Sequence, residues 1–202
     1  MGFGVFLRYR SRDRTSIGPM LTEEAMLCAT AFTTFACYNV WMNRKLYAAS
    51  AQLDDEQRKR DLGAFFKSIH GTLNHLLLAD GVWLSRFTGV AFTPRDKHGE
   101  VIAVRALSQV LYEDFEELKE QRSAMDERFQ SWVATLTDDS LQREITYKTS
   151  AGSEQRNLLW HSLLHCLNHQ THHRGQITTL LTQLNVDVGD TDLIIMLREF
   201  VS

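Results

Sequence analysis

The histidines of this chain are concentrated in one segment. Five of the eight lie in the run WHSLLHCLNHQTHHRGQ, Trp160 to Gln176. Four of the five recur at steps of four residues: His161, His165, His169 and His173. In an α-helix, imidazoles one turn apart lie on the same face and can converge on one metal ion, and histidine is the commonest metal ligand. The segment therefore predicts a metal site on a helix.

The four histidines cannot all bind the same ion, because each four-residue step rises ~6 Å and turns ~40° about the helix axis. The apolar, leucine-rich face of this helix includes His169 and His173. His165 lies at the edge of that face, and His161 and His172 lie outside it. We expect the inward pair to bind a metal and the outer histidines to face solvent or a partner. The alternative is that the inward pair only packs and hydrogen-bonds in the core.

The motif differs from that of a metalloprotease. The residues between the inward pair are Gln170, Thr171 and His172, so the general base of an HExxH motif is absent. A metal site also needs a third protein ligand.

A second helical segment, SIHGTLNHLLLADGVWLSRF (68–87), offers two candidates for that ligand, His70 and His75. The neighbours of His75 one turn away are small and leave room for an ion and a bound molecule: Gly71, Thr72 and Ala79. The residues alone do not decide between the two histidines. Asp80 lies among leucines in the same segment, and a buried carboxylate needs a cation, an imidazole or a backbone donor.

Composition narrows the class of protein. The chain has 202 residues, with two prolines and 44% hydrophobic residues, which favours long uninterrupted helices in one domain. A net charge of −3 gives no electrostatic footprint for nucleic acid, and no apolar run approaches the length of a membrane span. Three scattered cysteines are typical of the reducing cytoplasm, where we expect the protein.

The first residues differ from the rest. Residues 1–19 carry four arginines, three glycines and a short apolar patch. We interpret them as an N-terminal extension that comes from an upstream start site or packs as an arm on a partner subunit. The domain is predicted over residues 20–202.

Helical periodicity runs through this domain. Helices are predicted over 22–49, 62–87, 107–136 and 155–184, with a short fifth helix after 185 and a loop or short turn over 53–61. The segment 137–154 has turn residues around an alternating ITYKT, which predicts a small hairpin or an extended crossover. The fold class is therefore all-α, a four-helix bundle with a longer crossover before the last long helix.

Three segments resemble the DinB/YfiT-like family of metal-dependent enzymes: YNVWMNRKL (38–46), LNHLLLADGVWLSRF (73–87) and HCLNHQTHHRGQ (165–176). The last is the most specific and follows a turn, YKTSAGSEQ (147–155), that the family also has. The resemblance extends from about Thr22 to the C-terminus. It implies a four-helix bundle, a homodimer, and a three-histidine site for a divalent metal ion, nickel or zinc.

Carried over by position, the three ligands of the family fall on His75, His169 and His173. The second-helix ligand is the histidine five residues before the acidic residue, Asp80 here, and eight before the tryptophan, Trp83 here. Three neutral imidazoles leave coordination positions open for water or substrate, as in catalytic sites. Asp80 is expected to orient the ligands, and His165 either to orient them or to pack in the core. Arg174 and Gln176 are expected either to hold a bound molecule or to make contacts between helices.

Relatives in this family include thiol-dependent S-transferases and a maleylpyruvate isomerase that use low-molecular-weight thiols. The resemblance thus implies an S-transferase that acts with such a thiol on an electrophile in stress response or detoxification. The chemistry suits the site, because a divalent metal lowers the pKa of a thiol. The alternatives are a hydrolase that uses metal-activated water, a non-catalytic metal-binding or stress-inducible protein, and a helical dimer whose histidines only pack.

Overall fold

The structure, a computed structural model, describes residues 29–149 and 152–201. It is all-α apart from one hairpin. Four helices are long: α1 (Ala29–Ser50), α3 (Ile69–Thr88), α4 (Phe115–Val133) and α6 (Leu159–Gln183). The other elements are short: α2 (Asp55–Lys59), α5 (Asp138–Leu141), α7 (Leu193–Val201), β1 (Glu144–Lys148) and β2 (Glu154–Leu158). The predicted extension 1–19 and the predicted first turn from Thr22 lie outside the described residues.

The four long helices form the predicted bundle. Helices α1 and α3 each pack against both α4 and α6, which makes α1–α3 one diagonal of the bundle and α4–α6 the other. Fully buried leucines from all four helices fill the centre, among them Leu46, Leu73, Leu118 and Leu163. Burial of this apolar face is what stabilises the helices against each other. None of the described helices is both long enough and apolar enough to span a bilayer.

Three predicted helix starts were wrong, and in two of them a capping residue explains the later start. Helix α3 begins at Ile69 rather than 62, because the side chain of Ser68 accepts a hydrogen bond from the N–H of Gly71 and caps the helix there. The preceding segment turns instead, with Gly63 at φ 77° and Lys67 at φ 68°. Helix α4 begins at Phe115 rather than 107, because Asp114 caps it by accepting from the N–H of Glu117.

The segment before the last long helix is a hairpin, one of the two predicted alternatives. Strands β1 and β2 pair antiparallel with Glu144 opposite Leu158, and β1 packs against α3. Because residues 154–158 pair with β1, helix α6 begins at Leu159 rather than at the predicted 155. The predicted short fifth helix is α7, and the predicted loop over 53–61 contains the single turn of α2.

Candidate metal centre

Three histidines from two neighbouring helices converge inside the bundle. His75 comes from α3, and His169 and His173 lie one turn apart on α6. One ring nitrogen of each lies within 4.8 Å of the other two. The Nε2 atom of His169 is 3.2 Å from Nε2 of His75 and 3.0 Å from Nε2 of His173. The spacing of His169 and His173 on one face is what brings both rings to α3.

The outer nitrogens of two rings are held by acceptors. Nδ1 of His75 is 2.8 Å from the backbone oxygen of Leu107, and Nδ1 of His173 is 2.7 Å from Oε1 of Gln176. These oxygens can only accept, so each Nδ1 carries the proton and donates it. In the neutral ring, Nε2 then has a free lone pair. Both lone pairs are directed at Nε2 of His169.

The environment keeps all three rings neutral. His75 and His173 are buried, and His169 is half-buried. Burial lowers the pKa of His75 to about 4. Burial, together with the neighbouring rings of His173 and His75, lowers the pKa of His169 to about 3. Burial also lowers the pKa of His173. Neutral imidazole is the form that binds a metal ion.

The donor set fits a divalent cation. The Nε2 atoms of His75 and His173 each have a lone pair, and Nε2 of His169 has at most one proton. The three converging nitrogens therefore share at most one proton. A cation between the rings would satisfy all three nitrogens at once. Imidazole nitrogens suit nickel and zinc alike, so the donor set does not select between them.

Comparison with known proteins assigns the chain to a family. The profile of the DinB family matches residues 25–198. The chain belongs to the DinB family. Protein DinB of Bacillus subtilis (strain 168) is 24% identical over 155 residues, which cover 77% of this chain and 87% of that protein. The crystal structure of a DinB-like protein from Bacillus cereus ATCC 10987 superposes with a TM-score of 0.60 at 18% identity. That match covers 80% of this chain and 95% of the other, and it confirms the DinB-like all-α fold.

One side of the DinB histidine cluster is covered by an aromatic ring. Phe66 lies in the turn before α3, and its ring stacks on His75 with centroids 3.8 Å apart and planes 17° apart. The same ring meets His173 edge-on at 5.4 Å. The turn approaches α3 closely, because a Cβ at Gly71 would lie 2.3 Å from the carbonyl oxygen of Phe66. Gly71 therefore makes room for this turn, not for a bound molecule as the sequence predicted.

Another side of the cluster borders a cavity of about 220 Å³. His75 and His169 form its inner wall, and Ala79 is among its lining residues, as expected for a small neighbour of His75. The remaining wall includes Trp83 from α3 and Tyr147 from β1. The hairpin thus forms part of a pocket beside the three histidines.

The other predicted residues separate into two groups. Gln176 orients a ring of the cluster by accepting from His173, and His165 lies beside the cluster, 6.0 Å from His169 between ring centroids. Asp80 and Arg174 are buried elsewhere in the core: Asp80 pairs with Arg122 at 2.8 Å, and Arg174 donates to Asn39. Asp80 has the cationic partner that its burial required.

The outer histidines and His70 are not part of the cluster. His161 and His172 are exposed, as the helical wheel predicts, and His165, at the edge of the apolar face, is exposed as well. His70 is buried with Nε2 2.8 Å from the backbone oxygen of Tyr112, so it donates there and does not reach the cluster. Of the two candidates on α3, the structure brings only His75 to the α6 pair.

Sequence reasoning missed three residues, two at the histidine cluster and one beside Asp80. Phe66 and the carbonyl of Leu107 come from irregular segments, and no periodic pattern marks them. Arg122 was visible in principle, since it stands four residues before Asp126 on the same helix and both are flanked by core residues.

Proposed function

We propose that the protein is a DinB-family enzyme in which His75, His169 and His173 hold a divalent metal ion, nickel or zinc. We further propose that it transfers a low-molecular-weight thiol to an electrophile in stress response or detoxification. The observation that carries the proposal is the convergence of three neutral ring nitrogens on one point beside a cavity.

Each part of the site has a role in this proposal. A bound divalent cation lowers the pKa of a thiol and so favours the nucleophilic thiolate. Leu107 and Gln176 fix the tautomers of His75 and His173 and keep their Nε2 atoms available. Phe66 excludes water from one face of the cluster, so the reactants approach from the cavity side.

The number of ligands supports an enzyme over a structural site. Structural zinc sites have four protein ligands and are closed, whereas catalytic sites have three and an open position. The described residues contribute three nitrogens here, and the adjoining cavity gives access to them. Dimerisation in this proposal rests on the family resemblance.

The experiment that tests this function combines metal content with thiol transfer. Tag-free protein is loaded with nickel or zinc, and its conjugation of chlorodinitrobenzene is followed with a panel of small thiols. In this reaction the thiolate forms the carbon–sulfur bond, and chloride leaves. His169→Ala removes a proposed ligand, and His161→Ala is the matched control, an exposed histidine on the same helix.

We expect about one ion per chain and thiol-dependent conjugation in wild type and His161→Ala, and neither in His169→Ala. Metal uptake without conjugation by any thiol would refute the proposed transferase activity but would support the metal site. Failure to bind nickel or zinc would refute both.

A further inference from the structure

The cavity beside the histidine cluster is lined by one cationic side chain and, within residues 29–149 and 152–201, by no carboxylate. Arg86 lines it together with His75 and His169, and none of the described lining residues is Asp or Glu. In the described part of the chain Arg86 forms no ion pair, although its side chain is half-buried and burial lowers its pKa. An arginine in such a place usually has an anionic partner.

Arg86 is held in position by the wall of the cavity. Its guanidinium lies 4.5 Å from the ring centroid of Trp83 and 4.7 Å from that of Tyr147. One NH2 proton is donated to the backbone oxygen of Lys148 at 3.1 Å. A guanidinium has five N–H donors, and this is its one hydrogen bond within residues 29–149 and 152–201. Donors therefore remain for a ligand.

Helix geometry places Arg86 on the same face as His75. The two residues are eleven positions apart, which corresponds to about three turns and a rise of ~16 Å along the axis. Helical side chains lean toward the N-terminus, so that of Arg86 extends back toward His75. A ligand in the cavity can thus reach the histidine cluster at one end and the guanidinium at the other.

We propose that Arg86 binds a carboxylate of the small thiol whose sulfur faces the histidine cluster. This inference rests on the proposed function and specifies its substrate class. Three neutral imidazoles leave the charge of a divalent ion uncompensated, and Arg86 adds a further positive charge, so the cavity favours a ligand that is anionic at both ends. The planar guanidinium matches a carboxylate, which it binds with two parallel hydrogen bonds.

A purely structural role for Arg86 would be to link α3 to the hairpin through its two aromatic contacts. Such a role predicts no preference for a carboxylate among ligands of equal size. The two roles are separated by comparing an acid with its amide.

The test measures dissociation constants of metal-loaded protein for mercaptopropionate and mercaptohexanoate, each beside its neutral amide. The two lengths cover different spans between sulfur and carboxylate. The variants are Arg86→Gln and, as the control, Arg44→Gln, which removes the same charge from an exposed position on α1. Metal content is measured on every sample. We expect the acid to bind about tenfold more tightly than its amide at one length or both in wild type and Arg44→Gln.

In Arg86→Gln this preference should disappear with metal content unchanged. Equal binding of acid and amide in wild type at both lengths, or a preference that persists in Arg86→Gln, would overturn the inference and leave the metal site standing. If Arg86→Gln does not fold by circular dichroism, Arg86→Lys replaces it. Lysine keeps the charge but not the paired geometry, so a reduced preference supports the inference and an unchanged one overturns it.

If the wild-type protein binds no metal, the proposed function fails. The carboxylate site at Arg86 is then tested on the metal-free protein. The Nε–H signal of Arg86 in nitrogen-15 NMR is then followed with each acid and amide at millimolar concentration. A shift caused by an acid alone supports the carboxylate site. No shift, or an equal shift with the amide, overturns it.

Discussion

Two polar clusters lie side by side in the core of this bundle, and they differ in charge balance. In the first, which we call the carboxylate–arginine network, Asp80, Arg122 and Asp126 form ion pairs at 2.8 and 2.9 Å. Asn43 donates to Asp126, and Gln170 donates to Asp80. The second is the histidine cluster of His75, His169 and His173. Helices α3 and α6 contribute to both.

The network contains its own cation and anions, whereas the three converging Nε2 atoms of the histidine cluster have at most one proton among them. A buried ion pair is stable when its partners are both present. A set of converging lone pairs is satisfied only when a cation enters. We therefore infer that the network stabilises the fold and that the histidine cluster binds a cation.

Removing one partner of the network should have the largest effect on stability. Asp80→Ala leaves the buried N–H donors of Arg122 and Gln170 without their acceptor, which we expect to lower the free energy of unfolding by about 3 kcal/mol. Urea unfolding of the metal-free protein measures this. The control is Glu116→Ala, which breaks an exposed pair with Lys119 and should cost about 0.5 kcal/mol or less. Equal losses in the two variants would contradict the assignment of the network to folding.

Removing a member of the histidine cluster should act through the metal instead. At free metal a hundred times the dissociation constant, binding stabilises the folded state by about 2.7 kcal/mol. Wild type and His161→Ala should gain this amount in urea unfolding with nickel or zinc, and His169→Ala should gain none. A gain of the same size in His169→Ala would show that the ion binds elsewhere.

A residue that orients a ligand should have a smaller effect. Gln176→Ala removes the acceptor of the Nδ1 proton of His173, and we expect metal affinity to fall about 10- to 100-fold. Gln176→Glu keeps an acceptor and should retain the affinity. Competition with a chromophoric chelator gives both constants. Equal affinity in Gln176→Ala and wild type would remove Gln176 from the site.

The two clusters also differ in how far the sequence predicts them. The four-residue spacing on the apolar face predicted that His169 and His173 point inward, and the core location of Asp80 predicted a partner. The choice of His75 over His70 came from the family resemblance, because both lie on one helix and only the contact with α6 separates them. Phe66 and Leu107 could not be predicted, since they lie in irregular segments before α3 and α4 that no periodic pattern marks. The homodimer, the cytoplasmic location and the domain start at residue 20 stay predictions.

Acidification should change the stability contributed by the histidine cluster and by the carboxylate–arginine network in opposite directions. The folded-state pKa of His169 is about 3, below the value of about 6.5 in an unfolded chain. Between these values the unfolded state binds more protons, so the stability contributed by the neutral ring is complete above about pH 6.5 and is lost as the pH falls. Burial raises the pKa of Asp126 to about 6, which acts in the opposite direction.

The effect of His169 is therefore measured as a difference between two metal-free proteins. Wild type should lose stability more steeply than His169→Ala between about pH 6 and 5, by about 1 kcal/mol per pH unit. Asp126 is common to both proteins and cancels. Parallel profiles would mean that the ring is not held neutral in the folded state.

The most direct test of the account is X-ray absorption spectroscopy of the protein loaded with one equivalent of zinc. We predict three imidazole nitrogens at about 2.0–2.1 Å in wild type and His161→Ala, and a loss of bound zinc or of one imidazole in His75→Ala. A wild-type spectrum without imidazole scattering, or one unchanged by His75→Ala, would contradict the assignment of the metal to His75, His169 and His173.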